Sequence, residues 1–532
     1  MLQLIDIFGF LSVLLRGLTL ASEALTVGGI TFLLVMPRNA LPELVARRLR
    51  CFLAWSAALL GVTQIGYVAV NSVVLMALTG MSWTEVAGAG YCLAGTVIFA
   101  GAITNVVFLR TALARIICPL AGAMILAGSL MTSHAFGRVE NRALAAGLTL
   151  AHELAAAAWI GGLPYLLIAL RYSESRARSL AITARFSRMA LFSVGLLLMG
   201  GIGLSVLYVG SASAAFETTY GAMLIAKIIL TIAVIGVGAL NLRIVRSVQS
   251  GGTPELLPLR RFGEVEIGIG FTIFLAAAAL TSAPPAIDVQ ADRATAPEIV
   301  KRMRPEWPRM ATPPVTALSP PTSLIPPDVR QPGSFVPGQA WAPSNPSDIA
   351  WSEYNHHWAG LIVLAIGLLS LAARRFRWAR NWPLVFLALA VFLLIRADPE
   401  NWPLGPRGFW ESFQVAEVAQ HRTFVLLIVA FAAFEWAVQT GRIAPKRAGL
   451  VFPLVCAIGG ALLLTHSHSL SNIKQEFLIE LSHIPLAILA VLAGWSRWLE
   501  IRLPQFRSRV FAWVWPACFV LIGVVLLNYR ES

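Results

Sequence analysis

The stretch Leu148-Thr-Leu-Ala-His152-Glu153-Leu-Ala-Ala-Ala-Ala-Trp159-Ile-Gly161-Gly162-Leu163 sets a histidine and a glutamate inside an apolar run of membrane length. Side chains that ionise at such depth are costly and need partners, so they mark functional positions. The rest of the chain has the same apolar texture: of 532 residues, 57% are hydrophobic and 13% charged, with a mean hydropathy of +0.73. A water-soluble core cannot hide that much apolar surface. The composition therefore predicts an all-α polytopic membrane protein whose main surroundings are the lipid bilayer.

Windows of about 20 apolar residues fall near 7–36, 51–78, 84–109, 113–134, 142–170, 187–210, 218–246 and 263–284, and then near 356–373, 381–397, 420–438, 448–467, 476–496 and 508–528. About 14 transmembrane helices are expected, in an 8 + 6 arrangement. Between the groups the chain is rich in Pro and polar residues, with Pro-Pro pairs at 284, 313, 320 and 326, which predicts an extended, mostly irregular loop. The expected division is an eight-helix domain at 1–284, a Pro-rich loop at 285–354 and a six-helix domain at 355–532.

The net charge of +14 resembles that of a nucleic-acid binder, but the Arg residues stand in short clusters between apolar spans. That is where positive-inside topology places them, so no nucleic-acid partner is expected. Alternate loops carry the clusters: 38–50, 110–115, 171–188, 243–261, 374–380, 442–447 and 497–509. Long loops are exempt from the rule. Both termini and the Pro-rich loop are then outside, which is the periplasm for a multi-pass protein of a Gram-negative inner membrane. Five scattered Cys show no zinc or redox spacing. Asp6 precedes the first basic residue, Arg16, so the first apolar span is expected to remain rather than be cleaved as a leader.

On this topology all eight histidines lie toward the outer face: His134, His152, His356, His357, His421, His466, His468 and His483. Two hairpins share a pattern, with His134 ending one helix and His152 set into the next, then His466 and His468 ending one helix and His483 set into the next. Modest tilting would let the imidazoles of each pair approach. Carboxylates follow at helical spacing, with Glu353 near His356 and His357, Glu417 near His421, and Glu476 and Glu480 near His483. Imidazole with carboxylate suits copper(II) and other first-row ions, whereas Glu in a first turn also simply complements the helix dipole. Arg16, Glu23 and Lys227 are further charges inside spans, and an internal ion-pair network joining Glu153 to Lys227 or Arg16 is expected.

Several pieces of this chain resemble the copper resistance protein D (CopD) family of bacterial inner-membrane proteins. They are Ser133-His134-Ala135; His152 followed by Trp159, Gly161, Gly162 and Leu163; Phe186-Ser187; and Thr219-Tyr220-Gly221 with Leu224, Lys227 and Asn241. Leu481-Ser-His-Ile-Pro485 through Trp498-Leu-Glu500 looks like the C-terminal part of longer members. The resemblance implies copper ions as cargo, a periplasmic copper-binding partner, and His134 and His152 as metal-site residues, with Met131 one turn before His134 able to join them. The Pro-rich loop departs from a copper-capture tail, since it holds Met303 and Met310 but no His.

The metal-site candidates are therefore His134, His152, His356, His357, His421, His466, His468, His483, Met131 and Glu480. The leading expectation is a copper transporter or tolerance protein rather than an enzyme, with import favoured. Two other readings stay open: a membrane electron-transfer protein with paired His as axial ligands to b-type haem, and a copper-delivery or oxidase-assembly factor. Trp159 is expected to serve packing.

Overall fold

A backbone crossing hydrocarbon has only itself to bond with, so each apolar span becomes a helix. In the computed structural model the described residues are 7–37, 41–173, 175–249, 256–290, 293–319, 345–399, 401–414, 416–465, 473–503 and 508–531. The helices are α1 Phe8–Val35, α2 Glu43–Thr79, α3 Gly90–Phe108, α4 Ala114–Met131, α5 Arg142–Tyr172, α6 Arg176–Val209, α7 Thr219–Gln249 and α8 Leu256–Ser282. They continue as α9 Pro346–Ala372, α10 Trp378–Arg396, α11 Ala416–Gln439, α12 Val451–Leu463, α13 Ile473–Arg502 and α14 Phe511–Leu527. Among the described residues, 12 are long and apolar enough to cross a membrane. The two shorter ones are α12, with 13 residues, and α14, with 17.

The chain divides into two compact units, one of residues 1–291 with 464–468 and the other of residues 292–463 with 469–532. In the first unit, close backbone approach holds the opening stretch in place. A Cβ on Gly161 would lie 1.9 Å from the Ala24 carbonyl oxygen, and one on Gly28 would lie 2.3 Å from that of Ala157. Helices α1 and α5 thus touch main chain to main chain, as small residues allow in membranes. At the same place α5 is interrupted by a π-helical turn, Ala157–Gly161, a feature that recurs at functional sites. Around it lies an apolar core of Ala24, Val27, Leu60, Ile98, Ala102, Ile125 and Leu126.

The second unit is centred on Trp382, Phe452, Trp515 and Phe519. Gly360, Gly367 and Gly523 bring α9 and α14 together; a Cβ on Gly367 would lie 2.6 Å from the backbone nitrogen of Val520.

One described part of the Pro-rich segment is helical where its composition predicts irregular chain. Ala296–Met303 is a helix, capped reciprocally by Thr295 and Glu298, and its Pro297 falls in the first turn, where a missing N–H costs nothing. Glu298 also pairs with Lys474 at 2.6 Å. The Lys474 ammonium and the Thr295 donors hold its carboxyl down to a pKa of about 2.

Candidate functional site

Residue 152 lies ten positions after the start of α5, and its ring fits a notch that the sequence reading overlooked. A Cβ on Gly200 would come within 3.1 Å of the His152 Cβ, and one on Gly201 within 3.4 Å of its Cε1. The Gly200-Gly201 pair of α6 therefore makes room for the imidazole. The His152 Nδ1 bonds the Leu197 carbonyl oxygen at 2.9 Å. A carbonyl only accepts, so Nδ1 carries the proton and Nε2 keeps its electron pair. That pair faces the Lys227 Nζ at 3.5 Å.

Glu153 points into a different neighbourhood, as its position about 100° around the helix requires. It interacts with Arg16, Lys227 and Glu23, and the Ser129 hydroxyl stands beside both carboxylates. Arg16 and Lys227 share this neighbourhood with Glu23 and Glu153, but none of the ion pairs among the described residues joins these four side chains. Arg16 also donates from Nη2 to the Thr132 hydroxyl at 2.8 Å. Four polar atoms of this neighbourhood, Arg16 Nη1, Glu23 Oε2, Ser129 Oγ and Glu153 Oε2, have no protein hydrogen-bond partner. Buried orphans of this kind need a water or an ion to satisfy them.

His134 opens a short turn, His134–Gly137, between α4 and α5. Its ring closes a triangle with Tyr208 and Tyr220, with centroid distances of 5.9, 6.2 and 6.4 Å. Its Nε2 is buried without a partner. Burial pushes the imidazole below its ordinary pKa; Arg16 and Arg138 add to this, while Asp288 and the Leu280 carbonyl oppose it. His134 and His152 are not brought into one cluster. They contact Tyr220 and Lys227, seven residues apart on α7, which is about 10 Å along the helix. Met131 is half-buried at the end of α4.

In the second unit, α9 and α13 bring His356 and His483 together, with ring centroids 6.2 Å apart and planes at 82°. Each bonds through Nδ1 to the carbonyl one turn earlier in its own helix, Ser352 and Ile479, both at 2.9 Å. Tyr529 stacks on His356 at 3.7 Å. Glu480 is buried three residues before His483.

His357 is fully buried but serves a different purpose. Its Nδ1 accepts from the Arg309 backbone N–H at 2.7 Å, and its Nε2 meets the Tyr529 carbonyl at 2.9 Å and the Arg530 guanidinium at 2.8 Å. Both nitrogens are thus engaged by protein groups in a clamp joining the loop, α9 and the 529–531 segment. Glu353 belongs to the same clamp, accepting from Arg309 and from the Glu531 N–H. His421 pairs with Asp398 at 2.8 Å. His466, His468 and the side chains of Glu417 and Glu476 lie outside the described residues. Among the described residues, no group of three or more His, Cys, Asp or Glu is placed to hold a metal ion.

Trp159 has a polar role that composition did not reveal. Its indole N–H donates to the Glu266 carboxylate at 3.3 Å, and Asn241 donates to the other oxygen. The only signal in the sequence was a glutamate, Glu266, inside the eighth apolar span.

Residues 180–280, which run from α6 to α8, match the family described as Copper resistance protein D. A 163-residue stretch is 26% identical to a protein of Bacillus subtilis (strain 168) named copper transport protein CutJ. That alignment covers 30% of this chain and 29% of the relative, so the two are comparable over less than a third of either. No solved structure matches.

Proposed function

From membership of the copper resistance protein D family, carried by residues 180–280, we propose that this multi-pass membrane protein moves copper ions across the bacterial inner membrane. The observation that carries the reading is that the matched segment supplies the frame of His152: Leu197, Gly200, Gly201 and Lys227 all lie within it. In this reading His152 receives the ion through its Nε2 electron pair. Lys227 holds that pair while cargo is absent and turns to Glu153 when copper takes its place. His134 and its two tyrosines stand about 10 Å away along α7 as a stage nearer the outer surface, with Met131 beside it. The His356 and His483 pair is a second copper-receiving position in the other unit, with Glu480 nearby.

The topology that goes with this has 14 spans, both termini outside, and the domains divided at 284 and 354. A periplasmic copper-binding protein delivers the ion. The chain has no nucleotide-binding motif, so movement follows a gradient, and import fits the outward His positions.

The test is the metal content of detergent-purified protein beside its visible spectrum, followed by copper uptake into proteoliposomes. Bound copper and uptake are expected, with both lost in His152→Ala at unchanged yield of folded protein. Near-stoichiometric haem with a strong Soret band would replace this reading by electron transfer. A deletion strain that loses an assembled oxidase at unchanged cellular copper would point to delivery instead.

A further inference from the structure

Four residues singled out in the sequence have no part in the histidine sites: Trp159, Phe186, Ser187 and Asn241. All four line one cavity of about 160 Å³ between α5, α6, α7 and α8. Its remaining walls are largely aliphatic, and Glu266 is its one acidic group. The Glu266 side chain is buried and lies ten residues after the start of α8. Glu266 is the fourth residue of the eighth apolar span, near 263–284, about 5 Å along the helix from the start of that span.

The partners of Glu266 are neutral: the Trp159 indole N–H on one oxygen and the Asn241 amide on the other. Charged groups on the packed elements are placed elsewhere. Arg260 bonds the Leu170 carbonyl, Arg261 pairs with Glu264, and Arg171 lies over Tyr172. Lys227, His152, Glu153, Arg16 and Glu23 form the group described above. None of these groups, nor Arg185, Arg188, Arg243 or Arg246 on α6 and α7, is a hydrogen-bond or ion-pair partner of Glu266.

A carboxylate ion with only neutral donors is costly in an apolar interior, and a proton removes that cost. The protonated acid then needs an acceptor for its O–H. Asn241 supplies one, because its Oδ1 has no partner in the present arrangement. Turning the amide over presents oxygen in place of nitrogen, so one residue serves both protonation states. The cavity has room for water, which needs about 10–15 Å³ of such space per molecule, and Glu266, Asn241 and the Trp159 indole are polar groups that would hold it.

We propose that Glu266 binds and releases a proton through this cavity, and that the proton is the ion whose gradient drives transport. The second clause rests on the copper-transport reading; the first does not. The full-length purified protein is treated with dicyclohexylcarbodiimide, an apolar reagent for protonated carboxyl groups in membranes, and the adduct is located by peptide fragmentation. Labelling of Glu266 is expected, several-fold faster at pH 6 than at pH 8. Absence of the adduct, or a rate independent of pH, would overturn the site. Asn241→Leu keeps the carboxyl but removes its amide partner, and should shift the pH at which labelling is half lost; an unshifted profile counts against the arrangement.

In proteoliposomes carrying a pH dye, copper entry should be accompanied by proton movement. Glu266→Gln should reduce both at least tenfold while eluting as a folded protein. Copper flux equal to wild type in that variant would overturn proton coupling. Wild-type vesicles that move no copper would sink the transport reading, leaving the labelling result to judge the proton site.

Discussion

Replacing Gly161 by Ala tests whether the contact between α1 and α5 is as close as described. The added Cβ would meet the Ala24 carbonyl oxygen at 1.9 Å and its carbonyl carbon at 2.5 Å. Both are main-chain atoms of a neighbouring helix, so no rotamer change relieves the clash. The helices must part by about 1 Å, and overpacking of this kind costs about 1–3 kcal/mol, occasionally more. A control is available on α7. At Gly236 a Cβ meets nothing within 4 Å, and Gly→Ala inside a helix gains about 0.5–1 kcal/mol. The two variants should therefore differ by roughly 1.5–4 kcal/mol. The assay is the fraction remaining monodisperse by size-exclusion after heating in detergent, read as a shift in midpoint temperature. Gly161→Ala should fall below wild type and Gly236→Ala should equal or exceed it. If Gly161→Ala matches Gly236→Ala, the main-chain contact between α1 and α5 is not there.

Two further predictions follow from the surroundings of other histidines. His357→Ala removes one partner from the Arg309 N–H and one from the Tyr529 carbonyl, and with them about 0.5–1.5 kcal/mol for each hydrogen bond lost. Limited trypsinolysis should then cut faster after Arg309, and unchanged cleavage would count against the clamp. At His134, burial lowers the pKa of the folded state below the ordinary 6.5, so the folded protein binds fewer protons than the unfolded chain. The contribution of His134 is thus complete above pH 6.5 and is lost as pH falls below it toward the lowered folded value. Wild type should lose more thermal stability than His134→Gln between pH 7.5 and pH 5.5; equal losses would refute this.

Helix positions and the grouping of buried charges were legible because both follow from the same fact, that hydrocarbon offers nothing to a polar group. Each apolar run had to be a helix, and buried Arg16, Glu23, Glu153 and Lys227 had to share one neighbourhood, although no direct ion pair joins them. The separation of His134 from His152 was not legible. The hairpin argument placed the two rings at neighbouring helix ends, but ten residues of α5 precede His152, about 15 Å of depth. The Gly200-Gly201 notch was hidden because a glycine pair in an apolar helix carries no label for what fills it. The role of Glu266 was not legible because its partners, Trp159 and Asn241, are neutral and distant in sequence. The helix at Ala296–Met303 was masked by proline composition, although Thr295, Pro297 and Glu298 together spell a helix start.

The π-helical turn at Ala157–Gly161 also bears on how this helix can change length. A π turn takes up one residue more than an α-helix would use over the same distance, so the segments on either side keep their facing. Removing a single alanine from the run 155–158 should restore an ordinary helix with His152 and Trp159 still directed to their present neighbours. The same deletion elsewhere between those two residues and their helix ends would swing one segment about 100° away from its partners. A run of four identical residues, which looks like the least informative part of the chain, is thus where α5 stores the residue it can spare.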